Sequence, residues 1–268
     1  MNFAVIGSQV EYSLSPLLHN WIYKNLNLNH SYNYIKVADD SVNIIVDKIK
    51  NYNLDGANIT MPFKQKIISH INELDDISID LGAVNCISIK NDYIKGYNTD
   101  LFGFQKLIEV NKINLNSKNI LVLGSGGSSR AILTFLKQQN ANFSIFNRSF
   151  NNSDQLLNDL SISGTKTFDK NTKDINLDIN MIINCLPATV DYGFILRKIL
   201  PNIDSFHSII DINYYPINSQ IKSEIFIDGI DMFIYQAIKS NEIWMNKNIL
   251  NDVDYDYLKT YILGQIRC

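Results

Sequence analysis

The sequence predicts an α/β protein of two domains, a mainly parallel sheet followed by a second, doubly wound Rossmann-like one. Three observations carry this. Short apolar runs alternate with longer stretches of helical periodicity almost from end to end, and strands separated by helices of about 10–15 residues give βαβ units and parallel sheets. One apolar strand, 119–123, runs into a glycine cluster and directly into a helix, the order a dinucleotide-binding turn requires. The chain has 268 residues, enough for one large domain or two of about 100–150 residues.

In chain order, the apolar run Phe3-Ala4-Val5-Ile6 predicts a first strand over 2–6. Ser15 before Pro16 reads as an N-cap with proline at the first helical position, opening a helix over 16–27. A strand over 32–37, a helix over 41–51 and a strand over 55–59 follow. Pro62 punctuates the start of a helix over 62–70, strands cover 84–90 and 93–97, and Asp100 suits the N-cap of a helix over 101–111. The polar run 112–118 is the best candidate linker. Beyond it come a strand at 119–123, a helix at 127–139, strands at 142–146 and 179–184, a helix at 193–199, a strand at 207–212, and helices at 230–246 and 254–266.

Composition narrows the function classes. Gly and Pro together make 17 of 268 residues (12 and 5), about half the usual share, which excludes collagen-like and linker-like chains. A net charge of −3 with no basic run argues against a nucleic-acid surface. No apolar stretch approaches the roughly 18 residues of a membrane span, and Met1–Gly7 lacks the charged region of a secretion signal. Cys86, Cys185 and Cys268 are odd in number and form no CxxC pair, which predicts reduced thiols and a cytoplasmic protein. His19, His30, His70 and His207 show no metal-ligand spacing, so no metal site is expected.

Residues 119–131 read Asn-Ile-Leu-Val-Leu-Gly-Ser-Gly-Gly-Ser-Ser-Arg-Ala. Gly124 allows the tight turn, and Gly126 lets backbone approach a pyrophosphate. Ser125, Gly127 and Ser128 lie where the free N–H groups and positive dipole of a helix N-terminus meet it. A tight turn without ligand would use the same residues. The next strand ends in Asn147-Arg148-Ser149, about where an NAD enzyme places an acid on the ribose. An arginine there suits a 2′-phosphate, favouring NADP over NAD and disfavouring a methyl-donor enzyme.

Four polar clusters precede residue 101: Ser13–Pro16, Asn58–Lys64, Gly82–Asn85 and Gly96–Asp100. Each has a bland reading as caps and turns. That reading explains less well why several strand ends carry Ser, Thr, Asn, Lys and Asp together. In open parallel sheets, ligands bind beyond the carboxyl ends of strands. Lys64 and Asp100 both lie just past such ends. Paired, they supply a proton donor/acceptor and a carboxylate that fixes it, while the serines, Thr60 and Asn85 suit a hydroxylated, acidic small molecule.

These segments resemble the shikimate dehydrogenase family. Its S-x-S-P-x-x-H-N runs from Ser13 to Asn20, N-[VI]-T-x-P-x-K from Asn58 to Lys64, G-A-V-N over 82–85 and G-x-N-T-D over 96–100. G-x-G-G-x-x-R-A lies at 124–131, N-R-[ST] at 147–149, D-x-x-Y-x-P from Asp211 to Pro216, and D-G-x-x-M-x-x-x-Q-A from Asp228 to Ala237. The matches cover nearly the whole chain. The resemblance implies a substrate domain, 1–101 completed by 239–268, an NADP-binding Rossmann-like domain, 102–238, and an active-site cleft between them. It implies reversible reduction of 3-dehydroshikimate to shikimate with NADP(H), in aromatic amino-acid biosynthesis. Lys64 would be the acid/base residue and Asp100 its partner. Ser13, Ser15, Thr60, Asn85, Asp100, Tyr214 and Gln236 would line the substrate. Ile212 and Gly229 would border the nicotinamide, with Asp76 an acid near the cofactor. A monomer or homodimer acting on a small molecule is expected, with no nucleic-acid or membrane partner.

Three departures stand out. Where the family often carries a second cation after N-R-[ST], this chain has Phe150-Asn151-Asn152-Ser153; Asn152 weakens the 2′-phosphate clamp. Leu186 replaces a hydroxyl in Asn184-Cys185-Leu186-Pro187. The stretch 217–229 is short, so a helix there is expected to be trimmed. Two alternatives stay open: a quinate/shikimate dehydrogenase using NAD as well, and a catalytically inactive dinucleotide-binding module.

Overall fold

The computed structural model describes residues 1–38, 42–172, 175, 178–201, 205–215 and 221–266. Pro216 and Cys268, read above from the sequence, lie outside the described residues. Two compact units form, residues 1–103 with 234–268, and residues 104–233. The division falls inside two helices, and the polar run 112–118 lies within the second unit.

The first unit begins with β1 (Asn2–Gly7), α1 (Ser15–Asn25), β2 (Ser31–Lys36), α2 (Val42–Asn51) and β3 (Gly56–Ile59). A five-residue 3-10 helix (Lys66–His70), β4 (Glu73–Leu74), α3 (Asp76–Leu81), β5 (Cys86–Lys90), β6 (Tyr93–Tyr97) and α4 (Asp100–Val110) follow. The sheet order is β2-β1-β3-β5-β6-β4. β1 pairs parallel with β2 and β3, and β5 is antiparallel to both β3 and β6. β3 and β6 therefore point the same way, and their carboxyl ends share one edge. One face of the sheet buries an aliphatic core including Ala4, Ile6, Ile35, Ile59, Ile67 and Ile87.

Several sequence readings are corrected here. Residues 62–70 hold a short 3-10 helix instead of an α-helix, anchored by Phe63 and Ile67, its one buried side chain. Ser15 is the first helical residue of α1, not its cap. Leu14 occupies the cap position without a side-chain bond, and the Ser13 hydroxyl accepts the Ser15 N–H at 3.2 Å. β4 and α3 were not expected. α3 nevertheless carries ordinary signals, with Asp75 as N-cap accepting from Ser78 N and Gly82 closing it in the left-handed region.

The second unit contains β7 (Asn119–Leu123), α5 (Gly127–Gln138), β8 (Asn142–Phe146), α6 (Phe150–Asp159) and β9 (Lys166–Phe168). β10 (Met181–Asn184), α7 (Tyr192–Ile199), β11 (Ser205–Asp211) and β12 (Lys222–Ile227) complete it. All six strands are parallel, in the order β12-β11-β10-β7-β8-β9. This is the doubly wound order, with the first strand, β7, central. Helices on both faces explain why β7 and β10 read as unbroken apolar runs; Ile120–Leu123 and Met181–Ile183 are fully buried. α6, β9 and β12 were not expected. Of the stretch 217–229, where a trimmed helix was expected, residues 217–220 lie outside the described residues, and Lys222–Ile227 form β12. It is an edge strand with only Ile227 buried, so no burial pattern marked it.

The chain returns to the first unit along α8 (Ile230–Met245) and ends in α9 (Tyr255–Ile266). Trp244 of α8 stacks on Phe3 of β1 at 4.4 Å and donates its indole N–H to Ile87 O at 2.9 Å. Gly56 makes room for it: a Cβ there would stand 2.4 Å from Trp244 Nε1. Among the described residues, no helix is long and apolar enough to cross a membrane, and no cluster of three metal-ligating side chains occurs.

Candidate active site

Lys64 follows β3, and Asp100 opens α4 directly after β6. Because β3 and β6 end on the same edge, the two side chains meet. Lys64 Nζ lies 2.6 Å from Asp100 Oδ2, with side chains 15% and 7% exposed. Such a pair adds little net stability, because desolvation opposes the Coulomb attraction. What it does is fix an ammonium in one place. The Lys64 carbonyl accepts from Val84 N at 2.8 Å, tying the lysine's backbone to the segment that carries Asn85.

Asp100 is held from its other oxygen. Asn85 Nδ2 donates to Asp100 Oδ1 at 2.7 Å and lies 3.0 Å from Thr99 Oγ1, while Asn85 Oδ1 accepts Thr99 N at 2.7 Å. Asn98 accepts the Asp100 N–H at 3.0 Å and donates to Ala83 O. Gln236 and Ser240 of α8 approach the same threonine hydroxyl at 3.4 and 3.3 Å. Asn58 forms the hub beneath. Its amide donates to Asn85 O and to Ser240 Oγ, and it accepts from the Tyr32 phenol at 2.8 Å. Burial raises the Tyr32 pKa well above the ordinary tyrosine value, so the phenol stays a donor. Ser13 bonds Ser15 at 3.1 Å.

Asn85, Asp100, Lys64 and Gln236 are thus joined through one polar network in the first unit, while Ser13 and Ser15 bond each other. Thr60 lies at the end of β3, its N–H on Ile6 O and its methyl against Gly7, where a Cβ would stand 2.3 Å away. Asp76 sits apart, exposed in the first turn of α3. Tyr214 belongs to the second unit, its ring against Phe233 at 4.5 Å and Tyr215 at 5.0 Å. The sequence reading missed Asn58, Thr99 and Ser240 as site residues. Asn58 and Thr99 were quoted within motifs. Ser240 was signalled only by its place one helical turn beyond Gln236, on the same face.

The second unit carries the glycine turn. Gly124 has φ +103°, a conformation that side chains rarely adopt, and a Cβ there would press on the Cys185 backbone at 3.2 Å. Gly126 has open space where a Cβ would be, and no side chain caps α5. Ser125 and Ser128 are partly exposed on either side, while Ser129 is buried where α5 packs on the sheet. Backbone N–H groups of an uncapped helix beside an open glycine fit the pyrophosphate of a dinucleotide. Asn147 and Arg148 follow β8. Asn147 Nδ2 donates to Ser149 O at 3.0 Å, and Arg148 is exposed and makes no ion pair among the described residues. Ile212 and Gly229 touch backbone to backbone: a Cβ on Gly229 would stand 1.9 Å from Ile212 O. Asp211 anchors this turn by accepting from Asn213 N and Nδ2 at 3.0 and 2.7 Å. Burial raises its pKa against those bonds.

A family model described as the shikimate dehydrogenase substrate binding domain matches residues 5–87. A shikimate dehydrogenase (NADP(+)) of Staphylococcus aureus is 31% identical over 100% of this chain and 99% of its own length. Its counterpart from Methanococcus maripaludis is 33% identical over 91% of each chain. A crystal structure of a shikimate dehydrogenase in complex with NADP+ superposes with a TM-score of 0.78, at 26% identity, covering 99% of this chain and 95% of that one. With the paired lysine and aspartate in one unit and the glycine turn in the other, the chain belongs to the shikimate dehydrogenase family of NADP-dependent oxidoreductases.

Proposed function

We propose that the protein reversibly reduces 3-dehydroshikimate to shikimate with NADPH, as a step toward aromatic amino acids, in the cytoplasm and as a monomer or homodimer. The observation that carries the reading is the buried Lys64–Asp100 pair at 2.6 Å, held from behind by Asn85. Residues 1–103 with the returning helices act as the substrate domain, and the unit with the glycine turn binds the dinucleotide. NADP(H) would be held by Gly124–Ser128 at its pyrophosphate and by Asn147, Arg148 and Ser149 at its 2′-phosphate, with Ile212 and Gly229 beside the nicotinamide. When bound, it supplies or accepts the hydride. Ser13, Ser15, Thr60 and Tyr214 engage the substrate carboxylate side, and Asn85, Asp100 and Gln236 its ring hydroxyls.

During reduction the Lys64 ammonium gives its proton to the oxygen of the carbonyl as that oxygen gains charge, and solvent then restores the ammonium. In the oxidative direction the neutral amine takes the hydroxyl proton. Asp100 fixes the Nζ position in both directions.

The test is the absorbance of NADPH formed from shikimate and NADP, in a panel with quinate and NAD. Turnover with shikimate and NADP well above the other three combinations is expected. Lys64→Ala is expected to lower kcat by about a hundredfold or more with KM little changed. A variant with near wild-type kcat refutes the role of Lys64, and binding of NADPH without turnover by the wild type refutes the activity.

A further inference from the structure

The sequence left the 2′-phosphate with one cation, Arg148, because α6 offers Asn152 where a second charge is often found. The folded second unit shows other charges in the same place. A cavity of about 500 Å³ lies beyond the carboxyl ends of β8 and β10, and Asn147 and Arg148 line it together with Lys170 and Lys198. Its remaining lining is apolar, including Phe146, Leu186, Val190 and Phe194. Three cations and no carboxylate therefore face one cavity with an apolar wall. Phe194 is 66% exposed.

Lys170 comes from the turn after β9, Lys198 from the last turn of α7. Lys198 Nζ donates to the Lys170 carbonyl at 3.0 Å, fixing the backbone that carries Lys170. Lys170 itself is exposed and makes no ion pair among the described residues. The neighbouring Asp169 carboxylate is occupied by Asn171 N and Nδ2 and by the Thr172 hydroxyl. Lys198 also suits the negative end of α7, but that does not explain why its ammonium reaches across to another turn.

We propose that Lys170 supplies the second positive charge for the 2′-phosphate of NADP(H), and that Lys198 is the positioning residue that holds it there. A phosphomonoester carries nearly two negative charges near neutral pH, so one arginine leaves it incompletely matched. The inference rests on the NADP reading above and deepens it: selectivity is restored from β9 and α7 after being lost from α6.

Binding of 2′,5′-ADP and 5′-ADP by calorimetry tests this without turnover, alongside kcat/KM for NADP over NAD. Lys170→Gln is expected to weaken 2′,5′-ADP by about tenfold, to leave 5′-ADP within about twofold, and to lower the NADP preference in parallel. Lys198→Gln should show a smaller loss of the same selective kind, and Lys198→Arg should restore it. An unchanged 2′,5′-ADP to 5′-ADP ratio in Lys170→Gln overturns the assignment, whatever Lys198→Gln does. If Arg148→Gln collapses that ratio while Lys170→Gln does not, only this inference fails. If the wild type itself shows no preference for 2′,5′-ADP, the NADP reading fails with it.

Discussion

Replacing Asp100 by asparagine keeps the shape of the side chain and removes one acceptor. The carboxylate accepts from Lys64 Nζ at 2.6 Å and from Asn85 Nδ2 at 2.7 Å. An amide can accept only one of them on its oxygen and must turn its NH2 toward the other. Asn85 cannot flip to relieve the clash cheaply, because its Oδ1 already accepts Thr99 N at 2.7 Å and turning it would orphan a buried backbone N–H. Breaking a buried ion pair from one side costs about 3–5 kcal/mol. Lys64 is still 15% exposed, so water relieves part of this and the lower end, about 3 kcal/mol, is expected for Asp100→Asn. Both tryptophans, Trp21 and Trp244, lie in the first unit, so urea unfolding followed by tryptophan fluorescence reads the unit that holds the pair. Adding Lys64→Met to Asp100→Asn removes the buried ammonium as well and should recover about 1 kcal/mol. Two results contradict the reasoning: a loss below about 0.5 kcal/mol for Asp100→Asn, or a double variant whose cost is the sum of the two single ones.

Two further outcomes follow from buried groups away from the reacting pair. His19 is fully buried, stacked on Tyr32 at 4.0 Å, with Asn241 Nδ2 at 2.9 Å from its Nδ1, and burial pushes its pKa down to about 3. The unfolded imidazole titrates near 6.5, so between about pH 6.5 and 3 the unfolded chain binds a proton that the folded chain refuses, and stability falls on acidification. From pH 6.5 to 5 the loss from this group is about 2 kcal/mol; the wild type minus His19→Phe difference in urea midpoint should show it, and parallel pH curves would rule it out. Gly229→Ala places a methyl group against the Ile212 carbonyl and should cost about 1–3 kcal/mol by circular dichroism, with weaker NADP binding; an unchanged midpoint and affinity would mean that the two backbones are not in contact.

What the sequence disclosed about the fold follows how much each element buries. β1, β7 and β10 are covered on both sides of their sheets, and their apolar runs announced them. β12 buries only Ile227, β9 has three residues and β4 two, so no periodicity could build up. α6 reads Phe-Asn-Asn-Ser-Asp-Gln-Leu-Leu-Asn-Asp, with only Ser153, Leu156 and Leu157 buried. Its asparagines favour turns and caps, and tertiary packing overrides that preference. The division between the units falls inside α4. Inside α4, Phe104 meets Phe135 of α5 edge-on at 5.5 Å, so the helix that begins with Asp100 in one unit has its core in the other, and the polar run 112–118 marks a loop.

The site divides along a different line. Lys64 and Asp100 were legible because each stands at a strand end among other polar residues, and a sequence shows strand ends. The network that holds them was not, because its members meet only in three dimensions. Asn58 reads as a turn residue until Tyr32, Asn85 and Ser240 are seen to converge on its amide from β2, the start of β5 and α8. Those partners lie 26, 27 and 182 residues away. A buried amide with all its valences engaged admits one arrangement of its neighbours, so the position of Gln236, one turn before Ser240, is set by the same contact that supports Asn85 behind Asp100. The charges that Lys170 and Lys198 bring to the cavity beside Arg148 were invisible for the same reason. A search along the chain after Arg148 finds Asn152, whereas a parallel sheet brings the next charge from the end of the neighbouring strand, and the residue to look for was beyond β9.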